Sequence, residues 1–185
     1  MSQKRALIFH GTMGSPDGNW FPWLKESLEN NEWNVLVPTF PTPNNQNLEN
    51  WLKAFKEQVS DSNNIDLLVG HSLGATFILR LLEQGLCCPK KIILVSPVYD
   101  LINIPDYDTL NASFIGEFDW KAINKNVKTA YVLHGDNDPY VPLDQAYSVA
   151  DGLGISLELI KDGGHLNLET GYDQLPRLLE LINVE

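Results

Sequence analysis

The chain has 185 residues, 43% apolar and 20% charged, with a formal net charge of −11 at pH 7. This length and apolar share suit one globular domain with a sizeable core and exclude a disordered chain. The acidity argues against nucleic acid and anionic membrane surfaces as partners, because Lys and Arg drive both kinds of binding. The opening MSQKRALIFHG is too short in apolar residues for a secretory signal, which needs a run of roughly 7–15. No stretch reaches the roughly 18 apolar residues of a membrane span. Cys87 and Cys88 are neighbours, which makes a poor disulfide, and no zinc spacing accompanies them. A cytoplasmic protein with reduced thiols is expected.

Short apolar runs alternate with helical patterns, which predicts an α/β protein with a parallel sheet covered by helices on both faces. The first strand is residues 6–9, ending at His10-Gly11. After the turn-rich GTMGSPDGN, FPWLKESLEN places Trp23, Leu24 and Leu28 on one helical face. Residues 33–37 form the second strand, closed by Pro38. A proline-rich loop leads to a helix starting near Asn47, with Leu48, Trp51, Leu52 and Phe55 as its apolar stripe. The third strand, residues 65–69, is almost continuously apolar, as a strand buried on both faces requires. A helix over 73–83 and strands over 91–95 and 129–134 follow. Residues 98–127 are too long for a plain crossover and carry five aromatic residues, Tyr99, Tyr107, Phe114, Phe118 and Trp120, which predicts a small cap inserted in a single 1–185 domain. A helix over LDQAYSVADGL, a strand over 156–160 and a final helix from about Tyr172 to Asn183 complete the pattern.

Chemistry concentrates where these strands end. Gly70-His71-Ser72-Leu73-Gly74 matches G-x-S-x-G directly between a buried strand and a helix, the placement of a nucleophile elbow. Glycines flank such a serine because its strained turn leaves no room for larger side chains. Ser72 needs a base. His71 is adjacent and points away, and His10 and His134 close strands. His165, in the loop KDGGHLN, follows a parallel strand and so lies at the edge where open α/β sheets bind ligands. For the carboxylate that orients it, HGDNDPYVP offers Asp136 and Asp138. Asp138 is preferred, being deeper in the loop and stiffened by Pro139. The oxyanion requires two donors. The N–H of Leu73 follows the nucleophile, and the loop after the first strand offers Thr12, with Met13 second. A metal site at His134, Asp136 and Asp138 is the weaker alternative, and no metal or organic cofactor is required.

The chain resembles the small α/β-hydrolases typified by retinoblastoma-binding protein 9 and bacterial YdeN-like proteins. The likeness is carried by the strand-HG start, NWFPWLKESL, VGHSLGA, EFDW, HGDNDPYVP and GGHLN, and runs nearly end to end. It implies the α/β-hydrolase fold, a compact three-layer sandwich with strand order 2-1-3-4-5-6 and a small cap. Carried over by motif, it implies a triad at Ser72, Asp138 and His165. The expected activity is hydrolysis of a small-molecule acyl substrate, a carboxylic ester first, through an acyl-enzyme. An amidase, aminopeptidase-like or acyl-transfer enzyme, or a protein-binding member of the fold with little turnover, is the alternative.

Overall fold

The computed structural model describes residues 3–62 and 64–183. Six parallel strands, β1 (Arg5–Phe9), β2 (Asn34–Leu36), β3 (Leu67–His71), β4 (Lys91–Val95), β5 (Thr129–Gly135) and β6 (Leu157–Ile160), form one sheet. Their order is 2-1-3-4-5-6. All the strands therefore end on the same edge, where the connecting loops converge.

The two faces of the sheet follow from side-chain alternation. Leu7, Phe9, Leu68, Ile92, Leu94 and Val132 point into one core, shared with α2 (Leu48–Gln58), α3 (Leu73–Glu83), α5 (Trp120–Lys125) and α6 (Leu143–Leu153). Ala6, Ile8, Val69, Ile93, Val95 and Leu133 point into the other, beneath α1 (Phe21–Glu29) and α7 (Pro176–Asn183). On α1 the buried residues are Phe21, Leu24 and Leu28, while Trp23 is half-buried. The inward stripe thus begins two residues earlier than expected, at a helix start where periodicity has least to average over.

Several boundaries differ from the sequence reading for identifiable reasons. β3 starts at Leu67 rather than at residue 65, because the Asp66 side chain accepts the backbone N–H of Arg5 at 2.8 Å and pairs with Lys90 at 2.6 Å. β3 also runs on through Gly70 and His71. The last helix begins at Pro176, not near Tyr172, because Gly171 takes a left-handed conformation after a 3-10 turn over Leu168–Thr170. Asn47 caps α2 as expected, accepting the N–H of Asn50 at 2.8 Å.

Residues 98–127 contain two short helices, α4 (Pro105–Asn111) and α5. Ile123 of α5 joins the core beneath α3 and α6, so that half of the segment belongs to the helical layer. Arg80 of α3 fixes the stretch between the helices, donating to the carbonyls of Phe114 at 2.8 Å and Glu117 at 3.0 Å. Its guanidinium also lies 3.7 Å from the Phe118 ring centroid.

The position of α3 depends on two contacts too close for any side chain. A Cβ on Gly74 would fall 2.5 Å from the carbonyl oxygens of Phe9 and His10, and one on Gly70 would fall 2.7 Å from the Ala75 backbone. Neither neighbour is a flexible side chain that can move aside. Gly74→Ala is therefore expected to push α3 away from β1 and destabilise the protein by about 1–3 kcal/mol, the range for overpacking. Urea unfolding checks this, and a midpoint equal to wild type would show that the helix shifts without cost.

Candidate active site

Ser72 stands between β3 and α3 with φ 56° and ψ −124°. A positive φ is unusual for a non-glycine residue and persists only when its surroundings enforce it. Here the Ser72 N–H donates to Val95 O at 2.9 Å, and its carbonyl accepts the N–H of Ala75 at 3.0 Å. The side chain makes no capping hydrogen bond to α3 and faces a cavity of about 210 Å³ that His165 also lines.

His165 and Asp138 come from loops after β6 and β5. His165 Nδ1–H donates to Asp138 Oδ2 at 2.7 Å, with the carboxylate side chain 1% exposed. The other carboxylate oxygen accepts the N–H groups of Tyr140 at 2.9 Å and Val141 at 3.0 Å. Burial alone would raise the Asp138 carboxyl, but the His165 hydrogen bond and charge, with the two backbone donors, outweigh it. They hold the group below its usual range. With Nδ1 committed as donor, Nε2 of His165 is the nitrogen left to accept a proton. Asp136 instead accepts the N–H of Asp162 at 2.8 Å, tying the two loops together.

The His165 backbone is anchored as firmly as its side chain. Its carbonyl accepts from His71 Nε2–H at 2.9 Å and from Ser96 Oγ–H at 3.2 Å. The next carbonyl, of Leu166, accepts the indole N–H of buried Trp20 at 3.0 Å, and Asn137 Oδ1 accepts the N–H of Gly164 at 2.7 Å. Trp20, Ser96, Asn137 and the anchoring role of His71 were not identified from the sequence. Periodicity carries no signal for such contacts. The one hint lay in NWFPWLKESL, whose first tryptophan is Trp20.

Leu73 is the first residue of α3, so its N–H belongs to the helix end that lacks intrahelical partners. Gly11 lies against the serine: a Cβ on it would be 2.8 Å from Ser72 Cβ and 3.3 Å from Leu73 N. This brings the Thr12 loop beside Ser72, and Thr12 lines the same cavity. The N–H of Met13 donates to Thr42 Oγ1 at 2.7 Å.

The remaining histidines are buried and bonded within the fold. His10 donates through Nδ1 to Gly11 O at 2.9 Å and accepts the Phe40 N–H at Nε2, at 3.0 Å. His134 Nε2 donates to Val141 O at 3.1 Å and lies 3.6 Å from Asp138 Oδ2. Among the described residues, no group of three His, Cys, Asp or Glu side chains could hold a metal ion, so the weaker alternative at His134, Asp136 and Asp138 finds no support.

A six-stranded parallel sheet in this order, with a serine strained between its third strand and the next helix, defines the α/β-hydrolase fold. The solved structures most similar to the chain include that of the ydeN gene product of Bacillus subtilis, with a TM-score of 0.85 and 97% of each chain covered. The chain belongs to the serine hydrolase family, whose model matches residues 6–184. It is 30% identical to YdeN of Bacillus subtilis (strain 168) over 182 residues, 97% of this chain and 94% of that protein. It is 25% identical to serine hydrolase RBBP9 of Rattus norvegicus over 182 residues, 97% of this chain and 95% of that one. Est1E of Butyrivibrio proteoclasticus, solved with bound ferulic acid, shares the fold at 16% identity and a TM-score of 0.72, with 97% of this chain and 86% of that chain covered.

Burial lowers the proton affinity of His10, His71 and His134, bringing His71 down from 6.5 to about 3. The unfolded chain binds protons at these imidazoles near pH 6.5, whereas the folded chain binds them only at lower pH. Unfolding therefore takes up protons, and stability falls as pH drops from about 6.5 toward 3. Each proton so linked contributes about 1.4 kcal/mol per pH unit. In His71→Gln the slope of unfolding free energy between pH 4 and pH 6, taken from urea titrations, should be shallower by about that amount. An unchanged slope would mean that folded His71 already carries a proton in that range.

Proposed function

We propose that the protein is a carboxylesterase-like serine hydrolase of small uncharged acyl substrates, working through a Ser72-His165-Asp138 triad. The observation that carries this reading is the 2.7 Å hydrogen bond from His165 to a buried Asp138, made by an imidazole that shares a cavity with the elbow serine. Ser72 Oγ attacks the substrate carbonyl carbon as its proton passes to His165 Nε2. Asp138 holds the imidazole in the required tautomer and stabilises the imidazolium. The N–H groups of Leu73 and Thr12 receive the tetrahedral oxyanion. His165 then returns the proton to the departing alkoxide, leaving Ser72 acylated. Water, deprotonated by the same imidazole, hydrolyses the acyl-enzyme and releases the acid.

The first half of residues 98–127, through α4, serves as the small cap of a single domain, with Val98, Ile102, Tyr107 and Asn111 lining the cavity from that side. A volume of about 210 Å³ favours short acyl groups. Glu169 at the rim, in a chain of net charge −11, disfavours anionic ones. The free thiols of Cys87 and Cys88 fit a cytoplasmic location. No helix among the described residues is long and apolar enough to cross a membrane.

Treatment with a fluorophosphonate should add one adduct to the wild-type mass and none to Ser72→Ala. Well-folded wild type without an adduct would favour a binding protein with little turnover. Among esterase variants, Asp138→Asn should lower kcat by roughly 10⁴-fold, since it favours the wrong imidazole tautomer. Asp136→Asn, which loosens only the contact to Asp162, should cost far less. The opposite ranking in p-nitrophenyl butanoate hydrolysis would move the acid role to Asp136.

A further inference from the structure

A chain of hydrogen bonds beside the nucleophile ends in a donor that the fold does not use. The Met13 N–H donates to Thr42 Oγ1 at 2.7 Å, and the Thr42 hydroxyl donates to Gln46 Oε1 at 2.5 Å. The carbonyl of Leu110, which can only accept, fixes the orientation of the Gln46 amide. Its Nε2 donates to Leu110 O at 3.2 Å, Asn111 Oδ1 at 3.1 Å and Thr12 Oγ1 at 3.0 Å. The Thr12 hydroxyl in turn donates to Asn111 Oδ1 at 2.5 Å. Two donors on Oδ1 define which end of the Asn111 amide is oxygen, and Nδ2 remains.

Asn111 is only 2% exposed, yet it lines the cavity that Ser72 and His165 share. Among the described residues, the one sealed polar side-chain atom without a partner is His134 Nδ1. Asn111 Nδ2 has no hydrogen bond to the described residues either, and it is not sealed; on a residue that lines the cavity, it is the donor left over there. A buried amide with its oxygen saturated and its nitrogen open is a donor held ready for an acceptor. Its hydrogen-bond partner Thr12 follows Gly11, whose backbone packs against Ser72, so the donor belongs to the side of the cavity that carries the serine.

We propose that Asn111 is a specificity-determining residue whose Nδ2–H donates to the acyl portion of the substrate, selecting acyl groups with an ether, hydroxyl or carbonyl oxygen close to the scissile carbonyl. The proposal rests on the esterase reading above and adds the class of acyl group to it. An alkyl group of the same shape would bury the amide without a partner, and sites built to hydrogen-bond a substrate discriminate against such analogues.

The test compares p-nitrophenyl methoxyacetate with butanoate, and 3-methoxypropanoate with pentanoate. Each kcat/KM is divided by the rate of the same ester with hydroxide, to remove intrinsic reactivity. Wild type should favour the ether in at least one pair by roughly fivefold to tenfold, the effect of one neutral hydrogen bond. Asn111→Asp keeps an oxygen for Thr12 and Gln46 but replaces the donor with an acceptor. Its ratio should fall to parity or invert, while fluorophosphonate labelling shows that Ser72 remains reactive. Asn111→Ala, read the same way, covers the case in which a buried carboxylate prevents folding. A wild type that turns over without preference, or a preference that survives both variants, overturns this inference alone. A wild type with neither turnover nor adduct overturns the esterase reading together with it.

Discussion

Ser72 keeps a positive φ only because α3 is buried along nearly its whole length. Every residue from Leu73 to Leu82 is buried, and Leu73, Phe77, Ile78, Leu79, Leu81 and Leu82 are large and apolar. A residue in a sparsely populated backbone region costs about 1–3 kcal/mol. Burying one such side chain contributes about 1.5–3 kcal/mol, so the helix can offset the strain several times over. The turn cannot relax without moving α3, and α3 cannot move without withdrawing from β1, against which Gly74 packs. The serine hydroxyl is thereby presented to the cavity by the core itself.

The same logic extends to the facing loop. A histidine on a glycine-rich segment would ordinarily sample many positions, but here its backbone is held by buried donors. His71 and Ser96 converge on one carbonyl and Trp20 holds the next, and all three donors are buried. Breaking any of these bonds would strand a polar group away from water, which costs more than a hydrogen bond contributes net. His71 thus does two things from the middle of the elbow: it closes β3 beside Ser72 and locates the backbone of His165. Its neutrality is required for neither bond alone, but a charged His71 beside the His165 imidazole would oppose protonation there, since the two rings lie 4.7 Å apart.

What was legible in the sequence was whatever repeats or sits at a strand end. The β-α alternation, the buried third strand and the elbow could be read because each is local in sequence. The candidate residues Ser72, Asp138 and His165 came from the loops expected to meet at one edge, and there the structure places them. The contacts that hold these residues were illegible. Trp20 to Leu166 spans 146 residues and Thr12 to Asn111 spans 99, and no local pattern marks either end. The late start of α7 had a cue in Gly171, but a glycine shows where a left-handed turn is allowed, not where one occurs.

Electrostatically, the site is simpler than its four histidines imply. Burial keeps His10, His71 and His134 averse to charge, leaving His165 as the imidazole with an ion partner at hydrogen-bond distance. Asp138 is held in its ionised form by the same imidazole and by two backbone donors from the loop that carries it. Tyr140, in that loop, sets its ring edge-on to His165 with centroids 5.3 Å apart and donates its hydroxyl to Glu169 at 2.6 Å. The Glu169 carboxylate pushes the phenol up to about 12, so it stays a donor and adds no second anion beside His165. In the proposed reaction, positive charge developing on His165 would meet one buried, pre-oriented carboxylate rather than a diffuse acidic surface, even in a chain of net charge −11. A fixed partner of this kind needs no reorganisation as the imidazolium forms, which is the condition under which an electrostatic contact lowers a barrier.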